Sequence, residues 1–201
     1  MGSVNRFADA WRLRDGILAV IRPATPGDAG AIQALVRSLT PTSRYSRFFS
    51  GIQELSPEWL ARFSRAEPRG DVSLIATVLR EGKETVVGMG QYAADPWPER
   101  CDFAVLVADD WQGRGLGRRL LRNLECLARE AGFERIEGEV LTHNSTMLGL
   151  AHAMGYETRR HRESALFMRV SLPLAVAAGD CSPVASFAKT KGNVADVLAP
   201  S

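Results

Sequence analysis

Cysteine and histidine are scarce in this chain, with three of each among 201 residues. Cys101, Cys126 and Cys181 form no CxxC pair, and His143, His152 and His161 add no zinc-ligand spacing. No metal site is therefore expected, and a reducing compartment is. No run of about 18 apolar residues is present to span a bilayer. The opening MGSVNRFADAWRLRDG is too polar for a secretory leader. Asn5 and Arg6 do not complete the acylation pattern that MGS would begin. The expectation is a cytoplasmic protein with no membrane partner. A charge surplus is also missing: 25 Lys+Arg face 23 Asp+Glu, a formal net charge of +2. Nucleic-acid binders ordinarily carry a large basic excess, so nucleic acid is not an expected partner. What the chain does have is 45% hydrophobic and 24% charged residues, ordinary values for one domain with a real core.

Hydrophobic periodicity supplies the element order. ILAVI (17–21) reads as an opening strand, and PGDAGAIQALVRSL (26–39) as a helix with Ala29, Ile32, Leu35, Val36 and Leu39 on one face. PTSRYSRFFSGIQEL (41–55) reads as irregular, aromatic and basic. SPEWLARF reads as a short helix with Ser56 as cap and Pro57 in its first turn. Residues 72–79, 85–94 and 102–108 are β-rich runs joined by short polar turns, the pattern of an antiparallel meander. A Leu-rich helix begins near Leu116 and stops at Gly132. Strand 134–141, a helix from Ser145 to Met154 and one or two strands after Tyr156 complete the domain. The order β-α-α-β-β-β-α-β-α-β describes a mixed α/β domain over residues 17–172. Residues 1–16 read as an N-terminal extension, and 173–201, rich in Ala, Ser, Gly and Pro, as a mobile tail.

Gln112-Gly113-Arg114-Gly115-Leu116-Gly117 stands at the entrance to the Leu-rich helix. No Lys-Ser/Thr pair follows, so it is not a P-loop. The preceding strands look antiparallel, which argues against a dinucleotide fold. A helix start does carry amide groups without internal partners and the positive end of the helix dipole. Glycines let a diphosphate approach those amides, and Arg114 and Arg118 can add charge. A tight turn followed by a solvated basic helix is the plainer alternative, with Arg119 pointing elsewhere into solvent.

These residues carry a resemblance. FAVLVADDWQGRGLGRRLLRNLECLAREAGFERIEGEVLTHNSTMLGLAHAMGY (103–156) resembles the acetyl-CoA-binding core of the GCN5-related N-acetyltransferase (GNAT) superfamily, whose Q/R-x-x-G-x-G/A signature matches 112–117. RYSRFFSGIQELSPEWLARF (44–63), ADPWPERCDFAVLV (94–107) and GEVLTHNSTML (138–148) are similar to the acetyltransferase domain of bacterial protein lysine acetyltransferases. That group often carries a fused acyl-CoA-synthetase-like or cyclic-nucleotide-binding domain, for which 201 residues leave no room. The resemblance implies acetyl-CoA as donor and a protein with an exposed lysine as partner, prominently an acyl-CoA synthetase. A small-molecule amine, or a regulatory protein that binds acyl-CoA without catalysis, are the alternatives, and monomer or homodimer stays open.

The resemblance also implies roles. Two strands, one starting near Cys101 and one at 134–141, should splay apart. The backbone of Leu106 and Val107 would flank the pantetheine arm, Gln112 to Arg118 would cradle the diphosphate, and Asn144 would bind near the thioester. An Asn before a helix is also an ordinary cap. A lysine of pKa near 10.4 needs a proton acceptor before it can attack. Asp102 matches the group's strand Glu, one methylene shorter, with Glu99 in reserve. Arg44, Tyr45, Arg47, Phe48 and Phe49 fall where relatives shape the acceptor side, with ordinary helix packing as the alternative. The Tyr that many members place seven residues after the Asn is Ala151 here, so no side chain is assigned to protonate the leaving thiolate. Cys101 reads as packing, His143 and His152 as polar surface, and Trp97 and Trp111 as walls of the entrance.

Overall fold

Residues 8–65, 67, 70–94 and 99–174 are described by the computed structural model. Among them, eight strands form one sheet: β1 (Asp9–Arg12), β2 (Leu18–Pro23), β3 (Val72–Arg80), β4 (Lys83–Ala94), β5 (Arg100–Val107), β6 (Arg135–Leu141), β7 (Glu157–Arg160) and β8 (Phe167–Pro173). Five helices flank them: α1 (Ala29–Ser38), α2 (Pro41–Phe48), α3 (Pro57–Phe63), α4 (Leu116–Glu130) and α5 (Ser145–Ala153). The strand order is β1-β2-β3-β4-β5-β6-β8-β7. Every pairing is antiparallel except β5 with β6. The mixed α/β class and the central meander are as the periodicity implied.

The sheet is covered on both faces. Leu116, Leu120, Leu121, Leu124 and Leu127 of α4 join one core with Val72, Leu74, Ala76 and Val78. Ile32, Leu35 and Val36 of α1, with Phe48 and Phe63, join a second core with Ile75, Met89 and Leu106. β3 therefore reads as a continuous apolar run because alternate residues enter different cores. Helix α4 lies close on β4 because that strand has glycines under it. A Cβ at Gly90 would stand 3.1 Å from Leu124 Cδ1, and one at Gly88 3.3 Å from Leu120 Cδ1.

Three stretches differ from the sequence reading. The supposed N-terminal extension contributes β1, which pairs with β2 from Asp9↔Ile21 to Arg12↔Leu18. A buried carboxylate anchors it: Asp9 accepts from Arg119 Nε at 2.7 Å and Asn123 Nδ2 at 2.9 Å, and Arg119 lies over Trp11 at 4.6 Å. Arg119 is thus tied to β1, not loose in solvent. Within 41–55, Pro41–Phe48 is a helix, capped by Thr40, whose Oγ1 accepts from Ser43 N at 3.2 Å. The stretch expected to be tail from 173 begins inside the sheet. Pro173 ends β8, and buried Leu174 donates its N–H to Glu134 O at 2.7 Å. Residues 175–201 lie outside the described residues.

β5 and β6 pair only at Arg100↔Arg135, Cys101↔Ile136 and Asp102↔Glu137, and then part. At the next step the Phe103 ring lies over Gly138, where an added Cβ would stand 2.8 Å from Phe103 Cε1. The ring also packs edge-on against Tyr156, at 5.4 Å between centroids. Gly138→Ala is expected to push the ring off its seat, costing about 1–3 kcal/mol of stability. Urea unfolding of the variant beside the parent measures this; an unchanged midpoint would show the contact to be slack.

Candidate active site

The parting of β5 and β6 opens a cavity of about 700 Å³, a size typical of small-molecule sites. Its walls are residues 102–107 of β5, 138–140 of β6, the glycine loop, the first turns of α5 and the inner face of α2. Two halves with different chemistry meet there.

One half is built from main chain. Gly115 caps α4 at φ 89 and Gly113 lies at φ 71, conformations that L side chains rarely adopt. Both are exposed, with nothing within 4 Å of a built Cβ, so the approach to the helix start is open. The first-turn amides of α4 have no intrahelical acceptor and face that opening. Along β5, Ala108 N donates to Val87 O at 2.9 Å, which turns even-numbered backbone groups toward β4. Alternation then turns those of Val105 and Val107 toward the gap. Leu106, expected to offer its backbone, instead buries its side chain in the α1–α3 core. Gln112 clips the loop to the strand, Nε2 donating to Val107 O at 3.2 Å. Asn144 does cap α5, its Oδ1 accepting from Met147 N at 3.0 Å. The same residue lines the cavity, so cap and wall are one side chain.

Among the arginines of the glycine loop and the start of α4, Arg118 lines the cavity. Arg114 lies over the Trp111 ring at 4.7 Å and its Nη1 donates to Asp15 at 2.6 Å, on the β1–β2 turn. Trp111 is itself buried and forms part of the wall. Trp97 lies outside the described residues.

The other half is built from side chains. Thr42, Ser43, Ser46, Arg47 and Phe49 face Asp102, which is exposed at the last paired step before the strands part. Helix α2 is held there by Asp109, which accepts from Thr40 N at 2.9 Å, Thr40 Oγ1 at 3.2 Å and Ser43 Oγ at 2.6 Å. Partial burial works against the Asp109 carboxylate, but these hydrogen bonds win and hold it below its usual range. Phe49 ends α2 at φ 53 and meets Phe167 edge-on at 4.8 Å, joining α2 to β8 across the opening.

The remaining acceptor-side candidates lie elsewhere. Phe48 is buried in the core, Arg44 Nη1 donates to Leu39 O at 2.6 Å, and Tyr45 is exposed on the outer face. Glu99 is a surface residue outside the cavity wall, its carbonyl accepting from Glu134 N at 2.8 Å. Cys101 is a buried free thiol. Burial, helped by the charges of Asp102 and Glu137, pushes it up to about 12, so it stays protonated and unsuited to a covalent step. His152 is exposed on α5, whereas His143 lines the cavity. Polar wall residues that escaped the sequence reading include Thr42, Ser43, Ser46, Glu139 and Arg169. Glu139 accepts from Arg169 Nη2 at 3.3 Å and lies 3.1 Å from His161 Nε2. Only the β6–β8 register, Glu139↔Arg169, brings that pair together, and no local motif signals it.

The residues present fit a coenzyme A thioester: helix-start amides for a diphosphate, a free strand edge for the amides of the arm, and an Asn at the wall. Gly115→Ala, forced to hold φ 89, is expected to weaken acetyl-CoA binding at least fivefold. Gly117→Ala should change it less than twofold, because its Cβ would meet only ordinary contacts, the nearest Leu150 Cδ2 at 3.5 Å. Calorimetric titration of both variants checks this; equal affinities would remove the loop from the cradle.

The comparisons agree with this geometry. Residues 34–156 match the Acetyltransferase (GNAT) family. An acetyltransferase of Pseudomonas aeruginosa is 32% identical over 154 residues, covering 76% of this chain and 83% of that protein. The crystal structure of the GNAT domain of S. lividans PAT superposes with a TM-score of 0.75 at 27% identity, covering 83% of this chain and 96% of that one. A Salmonella typhimurium protein solved with its cofactor acetyl-CoA shares the fold, with a TM-score of 0.63 at 20% identity, over 80% of this chain and 96% of that one. With more than half of its length inside the family match, and with a forked strand edge and helix-start cradle to match, the chain belongs to the acetyltransferase (GNAT) family, which uses acetyl-CoA.

Proposed function

We propose that this N-acetyltransferase acts directly on the side-chain amine of lysines in other proteins, with acyl-CoA synthetases as the expected target class. The observation that carries the reading is the station of Asp102: exposed, in the cavity wall, at the step where β5 and β6 part. A carboxylate there is reachable by an amine borne on another protein's surface. The likeness to protein lysine acetyltransferases over 44–63, 94–107 and 138–148, and to the S. lividans PAT domain, supports the same choice. A cytoplasmic setting belongs to the proposal, because a donor as highly charged as acetyl-CoA does not cross membranes unaided.

Acetyl-CoA would supply an acetyl group as a thioester, whose carbonyl carbon a neutral amine attacks while the coenzyme A thiolate leaves. The work of this chain is to present the two partners to each other. First-turn amides of α4 with Arg118 hold the diphosphate, and the Val105 and Val107 backbone holds the arm in line with the fork. Main-chain N–H groups on the free edge of β5 can receive charge that develops on the thioester oxygen. Asp102 takes a proton from the lysine ammonium, directly or through one water, because its side chain is short. Position 151 holds a buried Ala, so departure relies on the modest basicity of the coenzyme A thiolate.

Asp102→Asn is expected to lower kcat at pH 7 by 10²–10⁴-fold, the usual contribution of a positioned base. Acetyl-CoA affinity should stay within twofold. The deficit should shrink as pH rises toward 10, where more lysine is already neutral. Transfer of labelled acetyl to lysate proteins, with the modified sites mapped by mass spectrometry, tests the acceptor class. Label found only on small amines would overturn the protein reading.

A further inference from the structure

The guanidinium of Arg47, on the last turn of α2, forms part of the acceptor-side wall. Its Nη2 donates to Gln91 Oε1, and Gln91 Nε2 donates onward to Ser73 Oγ at 2.8 Å. Its Cζ stands 4.9 Å from the Phe48 ring centroid and 5.6 Å from that of Phe63. These contacts fix the plane of the group but bring it no negative charge. Several other arginines of the fold meet acids, Arg22 with Asp28, Arg37 with Glu54, Arg62 with Asp71 and Arg119 with Asp9, while Arg44 meets the carbonyls of Arg37 and Leu39. Among the described residues, none offers Arg47 a carboxylate, and its Nε is sealed from water without an acceptor. Withdrawal from water pulls its pKa down to about 10, so it remains a cation at neutral pH.

A desolvated cation without a counter-ion is costly, and a long side chain would ordinarily swing out to water. Here two rings and Gln91 prevent that. The Nη1 edge carries donors that no described residue uses, on a side chain that faces the cavity. Gln91 stands opposite Ala104 on β5, and Asp102 is two residues back on the same face. At about 3.4 Å per residue, the β5 position opposite Gln91, the partner of Arg47, is roughly 7 Å along the strand from the backbone of the proposed base. That separation spans an amine and an acid on one small molecule, or on neighbouring side chains of a peptide.

We infer that Arg47 receives a carboxylate of the acceptor, so that the preferred acceptor is an amine accompanied by a carboxylate at short range. The inference rests on the transferase reading of this site. It adds a specificity element that a polyamine or an aminoglycoside would not satisfy. The guanidinium fork matches a carboxylate edge, and a desolvated wall strengthens the pairing. The carboxylate comes either from an acidic residue beside the target lysine or from the acceptor's own acid group.

The test uses two matched acceptor series with saturating acetyl-CoA. One is a set of lysine peptides with Glu or Gln beside the lysine; the other pairs small amino acids with their carboxamides. The wild-type protein should prefer the carboxylate member at least tenfold in kcat/KM in one series. Arg47→Gln should bring that ratio near one, and Arg47→Lys should leave it intermediate, with acetyl-CoA affinity held within twofold in both. A wild-type ratio near one in both series overturns the inference while leaving lysine acetylation standing if peptides are modified. Preference confined to the small amines keeps the inference and overturns the protein-lysine reading. Transfer to neither series overturns both, and a wild-type preference that survives undiminished in Arg47→Gln shows that the acid is read elsewhere.

Discussion

Two strands that begin in register and then separate govern this molecule. A parallel pair left open costs the sheet its remaining ladder hydrogen bonds, and the structure must compensate along the gap. It does so with a wedge: Phe103 lies over Gly138 and against Tyr156, filling one face of the fork with aromatic surface. Below it, Tyr156 OH donates to the buried Glu125 at 2.9 Å. Burial raises the Glu125 carboxyl, opposed by that hydrogen bond and by Arg122 and Arg129. The fork is thus propped on this one face by α4, to which the Tyr156–Glu125 hydrogen bond ties it. Its other face stays open to solvent beside Asp102.

The donor half was legible because it is made of local backbone chemistry. Positive φ at Gly113 and Gly115, and a leucine every three or four residues after them, are written in adjacent positions. Each has a single-residue cause. The acceptor half was legible only in part. PTSRYSRF hid its helix because a single large apolar residue, Phe48, faces the core from it. Yet Thr40 and Pro41 carried an ordinary cap signal. Phe48 and Phe49 are neighbours in sequence, but one enters the core and the other turns into the cavity through a left-handed backbone step. Composition does not encode that turn. Asp9, Asp109 and Glu139 were silent for a different reason. Their partners lie 110 to 114, 66 to 69 and 22 to 30 residues away, and only the completed topology brings them together.

The same division explains how such a site divides its labour. Main-chain donors at a helix start and along a strand edge keep their geometry whatever side chains surround them. They suit the part of the reaction that never changes, the grip on a common donor. Side chains on a short, separately anchored helix are free to vary, and α2 is such a helix. It is tied to the glycine loop through Asp109, and to β8 through the contact of Phe49 with Phe167. Its orientation is therefore set by the donor-binding loop on one side and by the far strand on the other. Ser43, Ser46 and Arg47 line the cavity from α2, away from the β5–β6 pairing that sets the fork. On the proposed reading, acceptor choice in this protein follows from the face of α2 that lines the cavity, and so from the charge balance of that face. Among the described residues no carboxylate meets the Arg47 cation held beside Phe48 and Phe63, and the proposed acceptor carboxylate would balance that charge on the cavity wall.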